Sequence, residues 1–339
     1  GMIRRKTASA PPLRAPTGIA GLGEPARPAY TGLAGTLLLV HTLLNLAFII
    51  LRRSWPVLAT YLDGSSLKVY TFSVLLMQGV LIFLPAVLVI ALRRPPTTEL
   101  VGERARPGSL FLSFAAGIPA AVVFHGLNNL LLYALARNGV DLSQSGLSSA
   151  LTLPDLLAGP WQMIVLVLLL SAALPSLVEE FFFRGVILSS LQSGGAVLSA
   201  MTWQALAFAL FHENVFFLLP PFLAGLLLAH IRHRCGRLWP AMVTHFSLNL
   251  TLFALPSLLP GLSQQVMAVH TRQASSLLYA SLIAACIAAA ALVPILILTF
   301  GLKPETPRPA KRLTVFPGDW KFALAILLQI VTIILIRRA

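Results

Sequence analysis

Charge is what this chain has least of. Only 11% of its 339 residues are Asp, Glu, Lys or Arg, and 57% are hydrophobic. A soluble domain carries about 25% charged residues, so an ordinary soluble fold is excluded and an integral membrane protein is implied. Cysteine is almost missing too. Cys235 and Cys286 are the two present; they form no CxxC and no zinc-finger spacing, which leaves no structural zinc and no expected disulfide. Residues 1–29 are not expected to act as a secretory leader, because Arg4, Arg5 and Lys6 run into a Pro-Pro step and not into an apolar core. No fixed-period repeat and no inverted repeat of the transporter kind is visible. The net charge of +14 does not indicate nucleic acid: the basic residues sit at the ends of apolar runs, and no basic face with interleaved aromatics occurs.

What is present is a series of apolar runs. Residues 1–29 read as a disordered basic tail rich in Pro, Ala and Arg. Runs then follow at 31–51, 67–92, 108–136, 161–191, 196–214, 217–232, 238–259, 276–301 and 320–336. Each is expected to be helical, since a lone strand cannot satisfy its backbone in lipid. The fold class is therefore an all-α polytopic membrane bundle of about eight or nine spans. Run 217–232 opens on Pro220-Pro221 and is expected to be short or re-entrant. The chain divides into the tail, N-terminal membrane helices over 30–150, a core over 151–260 and C-terminal membrane helices over 261–339. With nine spans and the N-terminus inside, 17 Lys and Arg fall on the inner side and 7 on the outer, Arg184 being left out as intramembrane. That bias places the N-terminus in the cytoplasm.

The expensive feature is Glu179-Glu180-Phe181-Phe182-Phe183-Arg184. A charge at the centre of a membrane helix costs roughly 2.5–3.5 kcal/mol, so three unpaired ones would cost about 8–10 kcal/mol. Glu180 and Arg184 are four apart and share a helix face, where they can pair. Glu179 points about 100° away. One arginine cannot neutralise two carboxylates, which argues against a mere locking ion pair and for a functional site with Glu179 facing a cavity.

Other intramembrane polar residues are candidates to meet it. Phe208 and His212 share a face of the fifth run, and His245 and Asn249 share one of the seventh. His212-Glu213 begins like a zincin HExxH, but position 216 is Phe and the second ligand is missing. His41 with Asn45, and His125 with Asn128 and Asn129, read first as hydrogen-bonding glue between helices. No GxGD marks an aspartyl protease, Asp319 following Gly318 in a loop with Phe at 316. No serine is paired with a base.

Glu179-Glu180-x-x-x-Arg184, Phe208-x-x-x-His212 and His245-x-x-x-Asn249, in that order on separate apolar runs, resemble the three motifs of the CPBP (CAAX protease and bacteriocin-processing, Abi) intramembrane proteases, the family that includes the Rce1 prenyl endopeptidase. The likeness covers about residues 155–260. It implies a helical bundle with its site in a cavity, and a hydrolase in which Glu179 activates water with help from His212. His245 and Asn249 would polarise the scissile carbonyl and hold the oxyanion. Glu180 and Arg184 would organise Glu179, and Phe208 would shape the cavity. The resemblance leaves the cofactor open between none and a divalent metal such as zinc on Glu179, His212 and His245. The implied partners are a peptide or protein substrate, lipidated or not, and membrane lipid, with no nucleic acid. The implied location is a bacterial inner membrane. Two other readings stand beside it: a non-catalytic immunity or scaffold protein of the same fold, and a proton-coupled transporter using Glu179 and His212 as a relay.

Overall fold

The computed structural model describes residues 32–62, 67–96, 100–102, 107–142, 159–194, 197–258, 272–301 and 319–337. The basic tail expected over 1–29 lies outside them. Each of the nine apolar runs folds as a helix: α1 (Leu33–Ser54), α3 (Leu67–Arg93), α4 (Pro107–Arg137), α5 (Trp161–Ser193), α6 (Val197–Phe211), α7 (Leu219–Cys235), α8 (Leu238–Leu258), α9 (Arg272–Gly301) and α10 (Trp320–Arg337). A short helix, α2 (Pro56–Leu62), follows α1. The chain is a polytopic helical membrane bundle. Six of the nine, namely α1, α3, α4, α5, α8 and α9, are long and apolar enough to cross a bilayer by themselves. Of the rest, α6 with 15 residues and α7 with 17 reach only about 22 and 26 Å, short of a hydrocarbon core of about 30 Å.

Contacts between helix ends fix the direction of the helices. The Ala34 N–H donates to Ser190 Oγ (3.0 Å), joining the start of α1 to the end of α5. Asp319 accepts the Gly35 N–H through Oδ2 (2.9 Å) and the Lys321 N–H through Oδ1 (3.1 Å), so one carboxylate caps both α1 and α10. Arg232 Nη2 donates to the Leu100 carbonyl (3.3 Å), and Arg234 Nε to that of Thr299 (3.4 Å). The starts of α1, α4, α6, α8 and α10 and the ends of α3, α5, α7 and α9 thus share one face, as alternate crossing requires. Among the described residues, that face carries Arg93, Arg94, Arg232, Arg234, Arg237 and Lys321; the opposite face carries Arg52, Arg53, Lys68 and Arg137.

Proline and glycine set the local geometry. Pro85 has no N–H to give the Leu81 carbonyl four residues back, and α3 widens to π-helical turns over Leu76–Phe83 just before it. His41 of α1 donates Nδ1–H to that Leu81 carbonyl at 2.7 Å, which is the interhelical bond expected of it. Pro175 acts likewise on α5, which is π-helical over Leu169–Ala173. A further π-helical stretch, Phe181–Ile187, follows the two glutamates directly. Such widened turns collect at functional sites because they re-aim side chains.

Helix α4 is the central column. A methyl added at Gly117 would lie 2.5 Å from the Thr244 carbonyl oxygen of α8, and one at Gly126 would lie 2.6 Å from Ala285 Cβ of α9. These glycines let backbones touch, the means by which helices associate in lipid. Thr244 and Ser247 then donate their hydroxyls across the same seam to the Ser113 and Phe114 carbonyls at 2.9 and 2.7 Å. Gly117→Ala is expected to cost about 1–3 kcal/mol through overpacking, seen as a lower unfolding midpoint in detergent. Gly108→Ala, at a site with nothing within 4 Å, is the control and should change little.

Candidate active site

The predicted residues converge from three helices. Glu180 on α5 is fully buried, as is Arg184 one turn on. Arg184 Nη1 donates to Glu180 Oε1 at 2.6 Å, and His245 Nδ1 of α8 donates to the same oxygen at 2.8 Å. The face-sharing deduced for Glu180 and Arg184 is therefore a direct ion pair, with His245 as an additional partner. This differs from the arrangement in which Glu180 serves Glu179. The carboxylate of Glu180 instead orients the His245 ring and leaves Nε2 as its free nitrogen.

Glu179 lies on another face, 5% exposed. Its Oε1 accepts Nε2–H of Gln78 at 2.8 Å. Gln78 belongs to the π-helical part of α3 and is a residue that motif reading missed. Its signal in the sequence is slight: one amide in an apolar run, five residues after a serine and seven before a proline. The widened turn brought on by Pro85 carries it toward α5.

His212 follows the last residue of α6. Its Nδ1–H donates to the Phe208 carbonyl at 2.8 Å, so Nε2 is again the free nitrogen. His212 as a residue is exposed at the end of α6. The charges of Glu179, Arg184 and His245 all act on it, which places the three beside it. Phe208 stands at the centre: its ring is edge-to-face with His212 (centroids 4.9 Å) and His245 (5.9 Å), and the Arg184 guanidinium lies over it at 4.2 Å. Beneath them Phe183 packs edge-on against Phe208 and Phe211 at 5.0 and 5.4 Å. Asn249, one turn from His245, is half-buried. The set on α4 stays apart: His125 and Asn129 bond each other within the helix at 3.2 Å.

The end of α6 is built to present His212. The His212 and Glu213 N–H groups bond three residues back, to Ala209 and Leu210, tightening the last turn. Glu213 then adopts left-handed φ of 54°, a conformation costing about 1–2 kcal/mol without glycine, and accepts a hydrogen bond from Asn45 Nδ2 of α1. Asn214 caps the turn Val215–Phe217 by accepting the Phe216 N–H at 3.0 Å. The bond from Asn45 to Glu213 is an interhelical hydrogen bond of the kind expected for Asn45, while Glu213 takes no part in an HExxH site. In the structure they tie α1 to the tip of the α6–α7 hairpin.

Among the described residues, no three His, Cys, Asp or Glu side chains are grouped to hold a metal ion. Glu179, His212 and His245 do not form such a group, although Gln78 and Glu180 leave Glu179 Oε2 and His245 Nε2 unengaged. The cluster gathers two carboxylates, one guanidinium and two imidazoles in the interior of the bundle, the residue types that can activate water and stabilise an oxyanion.

No curated protein and no solved structure matches the chain. Residues 160–251, spanning α5 to α8 with every residue of the cluster except Gln78, match the family model described as Type II CAAX prenyl endopeptidase Rce1-like; the helices before and after that stretch lie outside the match.

Proposed function

We propose that the protein is an intramembrane endopeptidase in which Glu179 takes a proton from water and the resulting hydroxide attacks the scissile carbonyl. The family match supports a hydrolase of peptide bonds. The observation that carries the assignment of roles is the division of the two glutamates: Glu180 is committed to Arg184 and His245, while Glu179 has a single neutral partner, Gln78. A carboxylate held by one amide keeps lone pairs for a water. His212, with Nε2 free, assists in moving the proton and passes it to the leaving amine. Asn249 donates its amide N–H to the oxyanion, and His245 does so from Nε2 when that nitrogen also carries a proton. No covalent acyl-enzyme and no metal step is required. By the excess of basic residues, the face with Arg93, Arg94, Arg232 and Arg234 is cytoplasmic.

The substrate is a peptide or protein, either a prenylated C-terminal segment or an unmodified precursor. The test is a comparison of C-terminal and membrane-released peptides in cells expressing wild type or Glu179→Ala. Peptides that disappear in the variant identify substrates. An unchanged peptide set with equal expression would sink the protease reading and favour a binding or immunity role.

Gln78 is a positioning residue in this scheme. A hydrogen bond to a charged group contributes about 1.5–3 kcal/mol. Gln78→Leu should therefore slow cleavage by about 10- to 100-fold, measured as initial rate at equal folded protein. Equal rates would show that Glu179 needs no such partner.

A further inference from the structure

Helix α1 lies outside the stretch that matches the family model, yet one of its faces touches the three helices that carry Gln78, Glu179 and His212. His41 and Asn45 are four residues apart and share that face; both are buried. His41 donates Nδ1–H to the Leu81 carbonyl of α3 at 2.7 Å. Its ring packs edge-on against Phe182 of α5 (centroids 5.5 Å) and, tilted, against Phe211 of α6 (5.1 Å). Asn45 donates to Glu213 at the end of α6. Holding two helices together needs one such contact; this pair engages three helices.

The contacts bear on the site through packed and bonded atoms. The Leu81 carbonyl is the one that Pro85 cannot serve, and it belongs to the widened turn Leu76–Phe83 from which Gln78 reaches Glu179. Phe211 stands between His41 and His212, its ring edge-on to that of His212 at 5.5 Å, so three rings form one continuous row. On the other side of His212, Glu213 holds a left-handed φ of 54° that a non-glycine residue disfavours, and the hydrogen bond from Asn45 holds it there.

We propose that His41 and Asn45 are positioning residues of the active site, His41 acting through Gln78 on Glu179 and Asn45 acting through Glu213 on His212. A carbonyl left unserved at membrane depth is costly, so without His41 the widened turn relaxes toward other partners and takes Gln78 off Glu179. Without Asn45 the left-handed residue is released, and the His212 ring turns with it. The proposal rests on the protease reading for its effect on rate, but not for its effect on where the side chains stand.

The rate arm measures kcat and KM for a substrate peptide per folded protein. His41→Phe keeps a ring against Phe182 and Phe211 but loses the donor; kcat should fall about 10-fold, the equivalent of one lost hydrogen bond, with KM little changed. His41→Gln restores a donor and should recover most of the rate. In a Gln78→Leu background His41→Phe should cost nothing further, because the two act in series. Should His41→Phe fail to fold, His41→Asn, a donor too short to reach Leu81, takes its place. Asn45→Leu should likewise lower kcat and add nothing in a Glu213→Gly background. Tyr70→Phe removes a different α3–α5 hydrogen bond, that between Tyr70 and Ser171 hydroxyls at 2.7 Å, and should leave kcat almost unchanged. Additive losses in either pair, or an equal loss in Tyr70→Phe, overturn the proposal. The second arm needs no cleavage. In NMR spectra of ring-labelled histidine, the His212 signal, identified by its loss in His212→Gln, should move in Asn45→Leu and stay in Tyr70→Phe. An unmoved signal in Asn45→Leu overturns the proposal. A moved one upholds the placement even where Glu179→Ala shows that the protein cleaves nothing, and the protease reading alone then falls.

Discussion

Glu179→Gln is expected to lower peptide cleavage by about 10²–10⁴-fold, the usual contribution of a positioned general base, while leaving the folded bundle intact. The substitution keeps size and shape. It removes a charge that is hydrogen-bonded by the neutral amide of Gln78, and an amide at position 179 can still accept from Gln78 through its own oxygen. Folding therefore loses little, whereas the proton acceptor is gone. The measurement is kcat on a substrate peptide alongside the thermal unfolding midpoint in the same detergent. A fall in activity matched by a fall in midpoint would mean that Glu179 is structural. Retention of more than about a tenth of the rate would move the base elsewhere, with His212 next in line.

Arg184→Leu should do the opposite, damaging the fold first. Arg184 and Glu180 are both fully buried, and removing one partner of such a pair costs about 3–5 kcal/mol because the other charge is left uncompensated. The guanidinium also lies over the Phe208 ring at 4.2 Å, so its loss loosens the residue that seats both histidines. Low yield and a lower unfolding midpoint are expected, with residual activity scaling with folded protein. The double variant Glu180→Leu, Arg184→Leu distinguishes charge from shape. Removing both charges should restore stability, as replacing a buried pair with apolar groups often does, but not cleavage, because His245 loses the oxygen that holds Nδ1 at 2.8 Å. A double variant as unstable as the single one would show that packing, not the stranded carboxylate, sets the cost.

Much of this arrangement was legible in the sequence. Nine apolar runs became nine helices because run length and hydropathy are local properties, and lipid leaves the backbone no alternative. The Glu180–Arg184 pair followed from the four-residue helical offset alone. The approach of His245 to Glu180 did not: two helices contribute it, and no spacing within either one encodes the distance. Gln78 and Asn45 were harder still, since each acts through a turn re-aimed by a neighbour, Pro85 in one case and the left-handed Glu213 in the other.

The double cap at Asp319 links residues 284 apart in the chain. The opening amides of α1 are therefore not fully satisfied until every intervening helix has been synthesised and inserted. Assembly of this bundle closes like a belt, with α10 as the buckle, and the first helix remains provisional while translation proceeds.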